Sequence, residues 1–166
     1  MIKLKKIFFG AVMKKIILFL FLILGVVSFA IPSYVNTEKI KSSGYEVTDE
    51  GDFGFRIARQ KNNGDATVIL YYLDYPEVSS AKQLSEMSVK TAPEEFKFLD
   101  STENKRVYIN KFVSPEDKGV YSFVGKKSKI KNCYIVIMHS TNKQLSNSEL
   151  TKAVDTLLDE AENFLK

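Results

Sequence analysis

Apolar positions along the chain recur with two periods, and each period predicts its own kind of element. Phe53, Phe55 and Ile57 alternate with Gly54, Arg56 and Ala58, the period-2 pattern of a half-buried strand. Lys61-Asn62-Asn63-Gly64-Asp65 follows, and its Asn-Gly pair supplies the positive φ of a tight hairpin turn, so Ala66 to Asp74 is expected to run back alongside. This second strand is apolar on both faces, with Val68, Leu70 and Tyr72 on one and Ile69, Tyr71 and Leu73 on the other. Such a strand belongs inside a sheet covered on both sides. Phe96 to Leu99 predicts a brief strand, turned at Ser101 to Asn104 into Lys105 to Val113. Val120 to Gly125 and Ile130 to His139 follow, separated by turns at Ser114 to Gly119 and Lys126 to Lys129, so that two hairpins in series give an antiparallel meander. The last strand carries Cys133, Ile135 and Ile137 on one face and Tyr134, Val136 and Met138 on the other, again the pattern of a covered centre.

Helical spacing appears twice in this part of the chain. Ser80 to Gln83 has the composition of a capping box, Ala81, Leu84 and Met87 recur at 3-4 spacing, and Pro93 stops the helix near Thr91. Ser146-Asn147-Ser148-Glu149 is a second capping box, and Leu150, Ala153, Val154, Leu157, Leu158, Ala161, Phe164 and Leu165 make the following helix strongly amphipathic. That helix must lie on the sheet. The order β-β-α-β-β-β-α predicts an α+β domain, a mainly antiparallel sheet of about five or six strands packed with two helices. Two doubly apolar strands call for one helix on each side, or for long loops burying part of one face.

The N-terminal region follows neither period. Ile16 to Ile31 is an unbroken apolar or small run preceded by Lys14-Lys15 and followed by Pro32. As a helix it reaches about 24 Å, short of the ~30 Å hydrocarbon core. A charged start, an apolar middle and small residues at Ser28 and Ala30 are the layout of a secretory signal peptide, residues 1–30, cleaved after Ala30; Met13 offers a second start. The alternative is an anchor in the inner membrane through residues 16–31. Residues 31–43 read as a polar linker and 44–166 as a single domain. The expected location is periplasmic or secreted.

Charge changes the picture only until it is located. The net charge is +4, but five of the 24 basic residues and none of the 20 acidic ones lie in residues 1–30, which leaves the remainder at −1. No counterion-release argument for nucleic acid survives this distribution. One Cys and one His exclude an internal disulfide and His-rich metal chemistry, and no cofactor motif is present, so neither metal nor cofactor is expected.

The chemistry-bearing residues are few. Cys133 sits in an apolar strand and reads as a packed thiol, about 20 Å along that strand from His139. His139 is the sole base for a Ser-His-acid triad, and no Gly-x-Ser-x-Gly elbow accompanies it. The carboxylates Glu94-Glu95 and Asp49-Glu50-Gly51-Asp52 have turn spacing rather than the separation that glycoside hydrolysis needs. Lys126, Lys127 and Lys129, with Lys131, form the basic cluster of the domain, either a solvated hairpin tip or a surface for an anionic headgroup, a cell-wall polymer or an acidic partner. Among the tyrosines, Tyr75 beside Pro76 is the one expected to be exposed. Tyr75, Lys126, Lys127 and Lys129 are thus the candidate ligand or partner surface.

The Phe53-Gly54-Phe55 opening, the helix from Ser80 to Thr91, the Val107-Tyr108-Ile109 and Val120-Tyr121-Ser122-Phe123 pair, the Tyr134-Ile135-Val136-Ile137 strand and the closing amphipathic helix together resemble, over residues 44–165, the PsbP-like superfamily of small α+β domains. The resemblance implies a sheet flanked by helices and a mostly non-enzymatic role in binding or assembly, and it transfers no site residue. The expectation is an exported binding or assembly module acting on an envelope or extracellular protein, touching membrane only through its N-terminal segment if that segment is uncleaved. A carrier of a small apolar or lipid-like ligand and a hydrolase of unknown type are the alternatives.

Overall fold

A computed structural model describes residues 32–51, 54–61, 66–74 and 78–166. The export segment, the Asn63-Gly64 turn and Tyr75 lie outside them. The described elements are α1 (Thr37–Ser42), β1 (Glu46–Gly51), β2 (Gly54–Lys61), β3 (Ala66–Leu73), α2 (Ala81–Lys90), β4 (Lys97–Glu103), β5 (Val107–Val113), β6 (Gly119–Gly125), β7 (Tyr134–Thr141) and α3 (Asn147–Asn163). The class is α+β, with one antiparallel sheet of seven strands in the order β1-β2-β3-β7-β6-β5-β4. The expected five or six strands are corrected to seven and the expected two helices to three.

Two meanders meet in the middle. β1-β2-β3 and β4-β5-β6-β7 are each built of successive antiparallel neighbours, and they are joined where β3 pairs with β7 from Ala66–Thr141 to Leu73–Tyr134. The doubly apolar strands are therefore neighbours at the sheet centre. Their alternation feeds two cores. Phe55, Ile57, Leu70, Tyr72, Phe123, Ile135 and Ile137 pack against α1 and α3, whereas Ile69, Tyr71, Phe112, Val124, Val136 and Met138 pack against α2. One helical layer thus covers each side.

The caps behave as their sequences require. Ser146 Oγ accepts from the Glu149 amide while Glu149 accepts from the Ser146 amide, a complete box. At α2, Ser80 Oγ accepts from Gln83, but Gln83 Oε1 reaches back to the amide and hydroxyl of Ser79 instead of Ser80. Thr91 ends the helix two residues before Pro93.

Three expectations change. Residues 32–43, read as linker, belong to the domain. Asn36 caps α1 by accepting from Lys39, Ile40 is fully buried, and Gly44, at φ +74°, reverses the chain so that the Tyr45 amide returns to the Ile40 carbonyl. Val35 bridges to Leu165, and the Asn36 amide donates to the Phe164 carbonyl, closing the two ends of the described domain together. β1 occupies the polar stretch expected to precede the first strand. Its Thr48 receives the guanidinium of Arg56, which is buried despite its charge. β4 runs on through Ser101 to Glu103 instead of turning there, as a solvent-exposed edge strand with a bulge between Phe98 and Asp100.

A polar clamp ties the α1–α3 layer to the sheet. Arg59 holds both carboxylate oxygens of Glu160 at 2.6 and 2.7 Å, donates to the Ser43 carbonyl at 2.9 Å, and lies 4.2 Å from the centre of the Tyr45 ring. The Tyr45 hydroxyl donates to Glu160 at 2.9 Å.

Candidate functional site

α2 covers β5 and β6 but stops short of the edge strand β4. Its polar side chains and those of β4 and β5 therefore border an open groove of about 440 Å³. The floor is polar by construction. Asn110 sits on the α2-facing side of β5, between the inward-facing Tyr108 and Phe112, at a position that is 1% exposed. Its amide nitrogen donates to the Ser85 carbonyl, Ser85 Oγ and Ser88 Oγ at 2.8–3.0 Å, and its oxygen accepts from Ser101 at 2.7 Å. Ser122, fully buried in β6, continues the network to Ser88 at 3.5 Å. A buried amide with all its partners in place is a rigid base.

The walls carry charge. Lys82, Glu86 and Lys90 lie four residues apart on α2 and form one exposed stripe along the helical wall, with Val89 beside them. Opposite, Ser101, Thr102 and Glu103 of β4 form the sheet-edge wall, and Tyr108 supplies an aromatic surface. Lys126 closes this end, hydrogen-bonded to Glu103 and 4.6 Å from the Tyr108 ring centre. The groove thus offers hydroxyls, one aromatic ring and charges of both signs, a set suited to a polar ligand or the polar rim of a protein surface.

The basic cluster expected from the sequence is split. Lys126 serves the groove, while Lys129 turns away and donates to the Glu162 carbonyl in the last turn of α3 at 3.2 Å. Lys127 is exposed between them. Tyr75 lies outside the described residues. The groove itself was missed, although it left a trace in the sequence: Ser85 and Ser88 fall on the buried face of α2, and Asn110 interrupts an apolar alternation.

The reactive side chains stay apart. Cys133 is buried beside Tyr34 and Ser128, and burial pushes its thiol up to about 11. His139 stands at the other end of β7, opposite Val68 and Tyr121, with its ring centre 6.3 and 6.4 Å from those of Tyr121 and Phe123. Glu94 and Glu95 are exposed on the turn after α2. Among the described residues no three His, Cys, Asp or Glu side chains gather closely enough to hold a metal ion, and no described helix is long and apolar enough to cross a membrane. The surface of the sheet under α3 is filled by Val154, Leu157, Leu158 and Ala161.

Compared with the models of known protein families and with curated proteins, the chain matches none.

Proposed function

We propose that the protein is an exported, non-enzymatic binding module of the cell envelope or extracellular space, and that the groove between α2 and the β4–β5 edge is where it engages its partner. The observation that carries this reading is the groove's make-up: a rigid network of Asn110, Ser85, Ser88 and Ser101 beneath walls bearing exposed Lys82, Glu86 and Lys90. Fixed hydroxyls and charges of both signs recognise a polar surface by complementarity. The separation of Cys133 from His139 supports a role without nucleophilic catalysis. The export layout of residues 1–30 supports the location, and the PsbP-like pattern belongs to the same proposal.

A carrier of an apolar ligand is the second reading, and the polar floor disfavours it. The test is capture from envelope extract by the full chain and by its Lys82→Glu/Lys90→Glu form. One retained protein, lost from the charge-reversed form, supports the module. Equal capture by both forms removes the groove, and hydrolase activity abolished by His139→Ala removes the non-enzymatic reading. Native mass spectrometry of gently extracted protein that finds a lipid-sized adduct would favour the carrier.

A further inference from the structure

The fold brings three distant basic segments to the place where the chain enters the domain. Pro32, the first described residue, directly follows the apolar run 16–31. Two residues on, the chain is fastened. The Tyr34 carbonyl accepts from the Lys166 amide at 2.9 Å, the Tyr34 side chain lies beside Cys133, and Lys166 Nζ donates to the Ser33 carbonyl at 2.8 Å. Around this point Lys39 donates to Asn163 at 3.1 Å and Lys129 to the Glu162 carbonyl at 3.2 Å. The last turn of α3 contains no basic residue of its own, so these lysines, with Lys166, stand at the negative end of its dipole. Lys127 and Lys131 are exposed on the same loop as Lys129, which leads into Cys133 and so lies against Tyr34. Three ammonium groups, those of Lys39, Lys129 and Lys166, therefore gather at the entry point, with Lys127 and Lys131 exposed on the adjoining loop. The acids near them are Glu38, Asp74 and Glu162, and Glu162 faces Arg106 at 3.6 Å.

We propose that this basic end is a membrane-contact surface that rests on anionic lipid headgroups while residues 16–31 are held in the bilayer. The surface is distinct from the groove, and the proposal rests on the anchor form of the export reading, in which residues 16–31 stay on the chain. Two observations select this occupant. Its lysines outnumber the acids beside them, and the excess positive charge complements a bilayer bearing anionic lipid. The fastening at Ser33 and Tyr34 also leaves no slack between the apolar run and the domain, so whatever holds the run holds the lysines within a few ångströms of the headgroups, inside a Debye length. The net charge of −1 over residues 31–166 hides this asymmetry, because most of the neutralising acids lie elsewhere.

The full chain is reconstituted into vesicles of phosphatidylcholine alone and of phosphatidylcholine with about 30% phosphatidylglycerol, and hydrogen exchange is followed at the amides of residues 126–133. Exchange slowed by about fivefold or more in the anionic vesicles, and restored by about 1 M salt or by Lys127→Gln/Lys131→Gln, is the expected result. The two substituted lysines are exposed and the hydrogen-bonded Lys39, Lys129 and Lys166 are kept, so unchanged exchange in β3 and β7 shows that the variant is folded. Equal exchange in the two lipid compositions overturns the proposal while leaving the anchor reading intact. A chain that floats with neither vesicle overturns both.

Discussion

Cys133, just before β7, and Asn110, within β5, show how one position in the fold decides what a side chain can do. The Cys133 thiol sits between Tyr34 and Ser128, and burial lifts it to about 11, so thiolate is scarce at neutral pH. Alkylation by iodoacetamide at pH 8 should be slow in the folded protein and accelerate by about two orders of magnitude in denaturant, as followed by mass spectrometry. A fast native reaction would mean that the loop at 126–133 opens. Asn110 is the opposite case, a polar group buried with every partner present. Asn110→Ala strands the serine hydroxyls that faced it, and a cost of about 2 kcal/mol in urea unfolding is expected. The sequence announces Asn110 only as a break in an apolar alternation. Its partners lie 22 and 25 residues earlier on a helix, and no local pattern encodes that meeting.

At the scale of elements, legibility followed amphipathicity. α3 could be read because eight apolar positions and a capping box agree, and β3 and β7 because both of their faces are apolar. Leu158 is 2% exposed in the middle of that interface, so Leu158→Ala should cost about 3 kcal/mol by thermal or urea denaturation. Its capping box adds a pH response. Hydrogen bonds from Lys143 and Ser146 lower the Glu149 carboxyl from 4.5 to about 2. A depressed carboxyl stabilises the folded state above its unfolded value and loses that contribution as pH falls through the folded one. The first turn of α3 should therefore fray between about pH 4.5 and 2, seen as faster exchange of the Glu149 and Leu150 amides, with Ser146→Ala flattening the response. α1, β1 and the end of β4 were not legible for the converse reason. α1 buries Ile40 alone, β1 is an acidic edge strand, and β4 is exposed along its length. Ladder hydrogen bonds and two caps hold these elements, and such contributions leave little periodicity. The Asn36 cap and the Gly44 reversal were the visible signals at α1, eight residues apart, a spacing that fits a single short helix.

At the scale of the whole molecule, the question is where the domain starts. A tether reading of residues 31–43 makes them dispensable, whereas the fold uses 32–43 to close itself. Val35 is 2% exposed and bridges Leu165, and Ile40 completes the core under α3. Burying those two side chains contributes about 3 to 5 kcal/mol at the usual value for large aliphatic residues. The bonds from Asn36 to Phe164 and from Lys39 to Asn163 add to this. A small domain has only about 5 to 15 kcal/mol of stability in total. A chain beginning at Gly44 should consequently unfold at a much lower urea concentration than one beginning at Pro32, or fail to fold, while the fragment from Pro32 shows a single cooperative transition. The loss should be largest in the α1–α3 layer, because the α2 core contains no residue of the deleted segment. If the two fragments unfolded at the same midpoint, the clasp between the ends would be decoration. The basic surface around Tyr34 would then lose its rigid link to the apolar run, and the membrane contact argued from that link would fall with it.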